Sequence, residues 1–166
     1  MEDKPVSSGE KMIAIGSDHA GFRLKEDLND ALVEMGYAVH DVGTYSEESC
    51  DYPDIALAVA ESVSQGEADK GVLVCGTGAG MAMTANKVPG IRAVVCNEPY
   101  TAEYCRLHND ANVMTIGSRL VDFDDARNIL KVFLATGFDG ETEAGARHAR
   151  RLEKIRDIER KYRKES

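Results

Sequence analysis

Residues 71–80 read Gly71-Val72-Leu73-Val74-Cys75-Gly76-Thr77-Gly78-Ala79-Gly80, and this stretch decides the fold class. A short apolar run ending in a glycine-rich turn reads as a strand buried on both faces, followed by the start of a helix. The same order recurs upstream. Met12-Ile13-Ala14-Ile15 runs into Gly16-Ser17-Asp18-His19-Ala20-Gly21, and Phe22, Leu24, Leu28, Ala31, Leu32 and Met35 then keep helical spacing until Gly36. Residues 38–42 read as a weaker strand before a polar loop, 43–51, and Pro53 suits the first turn of a helix through Ser64. Downstream, the pattern predicts a short helix to Lys87, a strand over 91–96, a helix over 99–107 and a strand over 112–117. Two helices, over 122–136 and 143–164, are predicted to close the chain.

Five strands separated by helices predict an α/β fold: a three-layer αβα, doubly wound, five-stranded parallel sheet of Rossmann-like type. Residues 11–164 form the expected single domain with a long C-terminal helix, and the polar residues 1–10 read as a flexible lead-in. Ligands in such folds bind beyond the carboxyl ends of the strands. That rule selects the loops 16–21, 75–80 and 96–100. The last helix is long for so small a domain, so part of it is expected to pack on a partner subunit.

Composition excludes several classes. The 166 residues are 43% hydrophobic and 30% charged, a globular balance. No apolar run nears the ~20 residues of a membrane helix, and the N-terminus lacks the apolar core of a secretory signal. The four cysteines form no CxxC pair and no disulfide framework, which suggests a reducing, cytoplasmic setting. Net charge is −9, but residues 147–166 hold nine Lys/Arg against four Asp/Glu. An acidic body argues against nucleic-acid binding. The basic tail reads as a solvated helix face or a source of anion ligands.

Backbone N–H groups of Gly76–Gly80 can converge on a phosphate or on an oxyanion formed in reaction. The turn matches neither a dinucleotide fingerprint, since Met81 stands at the third glycine, nor a Walker loop. Cys75, at the end of a central strand, reads either as a core cysteine or as a nucleophile or base favoured by the following helix start. Cys96 and Cys105 read as core. Asp18 and His19 suit hydroxyl and phosphate binding or proton transfer, with a helix N-cap as the plainer alternative. His108 and Asn109 are expected just after a helix, where capping competes with a general-acid role. Arg147 and Arg151, four apart, share a helix face and make a phosphate clamp, or else Arg147 pairs with Glu143. His40 and His148 suggest no chemical role. No spacing of His, Cys, Asp and Glu suggests a metal.

Taken together, five segments resemble the ribose-5-phosphate isomerase B family, which also includes galactose-6-phosphate isomerase subunits. They are GSDHAGFRLKEDL at 16–28, DYPD at 51–54, GVLVCGTGAGMAMTANKVPGIRAVVC at 71–96, RLHNDANVMTIGSRL at 106–120 and GARHARRLEKI at 145–155. The resemblance implies an aldose–ketose isomerase that needs no metal, nucleotide or other cofactor. It also implies a homodimer, with a dimer of dimers as the variant, and active sites between subunits. Cys75 is then the base on C2, and Met81 stands where some relatives carry a glutamate base. Gly76, Thr77, Gly78, Ala79 and Gly80 would hold the enediolate, with Thr77 relaying a proton. His108 would open the sugar ring with help from Asp18. Asp18 and Asn109 would bind substrate oxygens, Tyr52 would line the pocket, and His19, Arg119, Arg147 and Arg151 would hold the phosphate.

The favoured substrates are ribose 5-phosphate and ribulose 5-phosphate, with four- and six-carbon sugar phosphates as alternatives. A non-catalytic nucleotide-binding module is the reading from another class, and Glu98, 22 residues after Gly76, is its candidate ribose ligand. A subunit inactive without a related partner is the third.

Overall fold

The computed structural model describes residues 11–163; the lead-in 1–10 and residue 164 of the expected domain lie outside the described residues. The elements are β1 (Met12–Ser17), α1 (Phe22–Glu34), β2 (Ala38–Asp41), α2 (Tyr52–Ser64), β3 (Lys70–Cys75), α3 (Ala79–Ala85), β4 (Ala93–Val95), α4 (Pro99–Asn109), β5 (Val113–Gly117), α5 (Phe123–Ala135) and α6 (Ala146–Tyr162). A 3-10 turn, Asp139–Glu141, precedes α6. All five strands pair in parallel in the order β2-β1-β3-β5-β4.

The alternation within the strands divides the core into two layers. Ile13, Ile15, Val72, Val74, Met114 and Ile116 pack against α1, α4 and α5, where Leu28, Leu32, Cys105, Ile129 and Phe133 are buried. Ala14, Leu73 and Cys75 face the other way, onto α2 and α3, with Val59, Ala60 and Met81. The expected three-layer sheet is therefore present. Cys96 and Cys105 are core residues as expected, with sulfurs 3.9 Å apart, and all four cysteines are free.

Of the boundaries that differ from the sequence reading, three have a visible physical reason. β4 is shorter than 91–96: Ile91 donates its N–H to Val88 in a turn, and Arg92 donates to the Asn112 side chain, so neither joins the ladder at its start. His108 and Asn109 lie inside the last turn of α4, which ends at Asp110 in a left-handed conformation with φ 45°. The final helix begins at Ala146 rather than 143, because Thr142 and Gly145 are held in a side-chain-bonded turn before it.

The strand order has one consequence for the candidate site. The chain crosses from β3 to the edge position, β4, and β5 then fills the gap between them. The turn after β3 therefore lies beside the turn after β5, and the loop after β4 starts one strand further out. Gly117 ends β5, and a Cβ placed there would stand 2.8–2.9 Å from the Cα, C and O of Thr77. Those are backbone atoms, which cannot swing aside. Gly117→Ala should push the 76–80 turn outward and destabilise the protein by about 1–3 kcal/mol. A thermal melt beside the wild type checks this, and an unchanged midpoint would contradict the contact.

Candidate active site

The carboxyl edge of the sheet gathers the first group of candidate residues. Cys75 is 5% exposed, and its Sγ accepts a hydrogen bond from the N–H of Gly78 at 3.2 Å. That turn requires φ +85° at Gly78, a left-handed conformation open to glycine at little cost. Thr115 Oγ1 donates to the Gly78 carbonyl from the neighbouring strand and pins it. Of the five N–H groups proposed for an oxyanion, Gly78 is thus spent on sulfur, and Ala79 donates to Thr77 Oγ1 at 3.3 Å. Those of Gly76, Thr77 and Gly80 have no hydrogen-bond partner among the described residues.

Asp18 enters the same edge because its N–H donates to the Val74 carbonyl at 3.1 Å. Its Oδ1 accepts from Gly21 N at 3.0 Å, closing the turn before α1; Gly21, not Asp18, is the N-cap residue. His19 Nδ1 accepts from Cys50 N at 3.3 Å. A neutral His19 therefore carries its proton on Nε2, as a donor. Tyr52 opens α2 with its ring against Gly80, where a Cβ would stand 2.7 Å from the ring. Arg119 N donates to the Gly76 carbonyl at 3.1 Å, and its guanidinium lies along Gly76. Asp18, His19, Tyr52, Cys75, the turn 76–80 and Arg119 are therefore brought together.

His108, Asn109, Arg147 and Arg151 are not. In a parallel sheet each helix carries the chain back to the amino edge. The end of α4 is clasped there: Arg92, just before β4, donates to the carbonyls of Asn109 and Asp110, and Arg106 pairs with Asp110. From the pair Gly71↔Val113 to the pair Cys75↔Gly117 the sheet runs four residues, roughly 13 Å at strand rise. His108 and Cys75 thus lie at opposite edges of one chain. Arg147 and Arg151 are exposed on α6 beside this second group, and Arg147 donates to the Ala144 carbonyl. The alternative pairing of Arg147 with Glu143 is not formed, since Glu143 lies before the helix and i,i+4 spacing does not apply.

His148, to which the sequence reading gave no role, is 3% exposed and stacks on His108 with ring centroids 4.1 Å apart. Burial holds its pKa below the ordinary histidine value, helped by the charges of His108, Arg147 and Arg151. Asn97 was also missed. Its amide donates to the Thr77 carbonyl and its Oδ1 accepts from Gly117 N, tying the β3 and β5 turns together. The expected loop 96–100 thus reaches the site only through Asn97. Glu98, the candidate ribose ligand, instead caps α4, accepting from the N–H groups of Tyr100 and Thr101 and from the Thr101 hydroxyl. Those bonds hold its carboxyl below the usual range, and they remove the chief support for a nucleotide-binding module. Among the described residues there is no cluster of metal ligands, and no helix is long and apolar enough to cross a membrane.

A family model described as Ribose/Galactose Isomerase matches residues 13–155. Ribose-5-phosphate isomerase B of Escherichia coli is 48% identical over 151 residues, 91% of this chain and 98% of that protein. D-erythrulose-4-phosphate isomerase 2 of Mycolicibacterium smegmatis is 41% identical, over 81% of this chain and 91% of its own. The structure of Clostridium thermocellum ribose-5-phosphate isomerase B superposes with TM-score 0.87 at 49% identity, covering 92% of this chain and 99% of that one.

The buried His148 has a measurable consequence. Its folded-state pKa lies below the unfolded one, so between the two values the unfolded chain binds more protons and stability rises with pH. The melting temperature should therefore fall as pH drops below about 6.5. His148→Phe should flatten that slope; an equal slope in the variant would contradict the assignment.

Proposed function

The chain belongs to the ribose/galactose isomerase family, and on that premise we propose that this sugar-phosphate isomerase interconverts ribose 5-phosphate and ribulose 5-phosphate. The observation that carries the proposal is the split between the two sheet edges. One edge offers a base and oxyanion donors; the other offers an acid and a pair of arginines. Each alone is half of what proton transfer on a phosphorylated sugar requires. A homodimer in which the carboxyl edge of one copy meets the amino edge of the next would unite them. A twofold axis would build two such sites at once.

In this scheme ribose 5-phosphate binds as the furanose. His108 of the second copy protonates the ring oxygen, and Asp18 accepts the proton of the anomeric hydroxyl, leaving the open-chain aldehyde. The Cys75 thiolate then takes the proton from C2. The electron pair moves into a C1–C2 double bond and the charge onto O1. The unspent N–H groups of Gly76, Thr77 and Gly80 receive that oxyanion, in the manner of an oxyanion hole. Thr77 passes a proton between O2 and O1, and Cys75 returns its proton to C1 to give the ketose. Exchange with solvent then takes the proton from Asp18 and returns one to His108, and the scheme requires no metal or nucleotide. His19, through Nε2–H, and Arg119 meet the phosphate from one copy. Arg147 and Arg151 meet it from the other. Tyr52 and Asn109 complete the walls.

Support for the assembly comes also from α6. Only His148 and Leu152 of this helix are buried, while Ile155, Ile158 and Tyr162 are 49%, 59% and 74% exposed. With Ile91 and Leu152 they line an apolar groove beside the edge strand β4. A second copy would cover it.

Ketose formation from ribose 5-phosphate by the purified chain tests the reaction. Cys75→Ala should lower kcat by roughly 10²–10⁴-fold, the usual worth of a positioned base. Turnover only with a four- or six-carbon sugar phosphate would move the substrate, and substantial turnover by the variant would remove Cys75 as base. Mixing tests the shared site. Cys75→Ala and His108→Ala should each be inactive alone, yet subunit exchange should restore about a quarter of wild-type activity, because half the dimers then hold one intact site. No recovery after verified exchange would place both residues in one chain's site.

A further inference from the structure

Resting on the reading that His108 opens the sugar ring, we propose that His148 is a positioning residue whose buried imidazole face holds the His108 ring in its working orientation. The two rings are nearly parallel, at 12° with centroids 4.1 Å apart. His108 is fixed from the other side by Tyr104, edge-on at 5.1 Å, and Tyr104 stacks in turn on Tyr100 at 4.3 Å. Tyr100, Tyr104 and His108 follow i, i+4, i+8 spacing on one face of α4, so the row of rings is built into that helix. His148 is the only member supplied by α6.

The contact His148 offers is its face. Its Nε2 is buried with no hydrogen-bond partner among the described residues, so no bond through that nitrogen sets the ring's role there. The groups around it are His108 on α4, Arg147 and Arg151 on α6, and Asp139 on the 3-10 turn, so two arginines face it against one carboxylate. Two imidazolium rings at this spacing would repel. Burial and the neighbouring cations disfavour a charge on His148, so it sets no second positive charge against His108, the ring the scheme requires to act as an acid. The stack therefore does two things for His108: it limits ring rotation and keeps a second charge away.

The two substrates separate this role from a general structural one. Ribose 5-phosphate closes a ring through O4 and must be opened. Ribulose 5-phosphate has its only five-ring-forming oxygen, O5, esterified, so it is always open. His148→Ala should lower kcat/KM for ribose 5-phosphate by roughly 10–100-fold, the cost of a misplaced acid. Because the equilibrium constant ties kcat/KM for the two sugars together, the second readout is exchange of the C1 proton of ribulose 5-phosphate with D2O, which needs no ring opening or closure and should stay within about twofold of wild type. His148→Phe, which keeps a ring face, should recover most of the loss. Equal losses of ribose 5-phosphate turnover and of C1 exchange would overturn the proposal in favour of phosphate binding or folding, and Phe as poor as Ala would overturn the ring-face argument. In both cases wild-type turnover stays intact and the isomerase reading survives. A wild type inactive on both sugars would overturn that reading, and the positioning role of His148 with it.

Discussion

The turn that follows β3 closes over the Cys75 sulfur only because the neighbouring strand ends in a residue without a side chain. Gly117 lets the backbone of Thr77 approach to a distance no Cβ would tolerate. Asn97 then bridges the two, donating to Thr77 and accepting from Gly117. With the turn held from that side, the Gly78 N–H reaches Sγ and three further N–H groups stay unspent. The strand order makes this possible. Had β4 lain beside β3, the end of β5 would have been one strand further out, and Arg119 with it.

The same topology separates the remaining candidate residues from the first group. Parallel strands place every strand end on one edge and every helix end on the other. His108, Asn109 and His148 belong to helix α4 and the first turn of α6, so they gather at the amino edge. Arg92 and Arg106 hold them there through Asp110. Bringing the two groups together is what the proposed pairing of two chains would supply. The same pairing would cover α6, of which only His148 and Leu152 are buried within its own chain.

Much of this was legible beforehand. The apolar runs and glycine-rich turns marked all five strands, since a strand buried on both faces shows as an unbroken apolar stretch. The grouping of Asp18, His19, Cys75 and the turn 76–80 followed from one rule about strand ends. Boundaries were less legible. Ile91 and Arg92 look like strand residues, yet a turn bond and the Asn112 side chain take their N–H groups. Glu98 had the spacing of a ribose ligand, but spacing does not reveal that its carboxylate is already spent on a helix cap. His148 suggests no chemical role from its sequence, because burial and stacking are not written in local sequence.

By itself the sequence determined the element types, the parallel sheet, the family and the chemical groups available for proton transfer. These depend on local periodicity and on short motifs, which a chain carries wherever it folds. Only the tertiary structure decided which of those groups meet. It placed β5 inside β4, laid Arg119 along Gly76, stacked His148 on His108, and left Cys75 and His108 a strand's length apart. Such pairings join residues tens of positions apart, and the crossover that brings them together is chosen by packing of the whole sheet rather than by any segment of it.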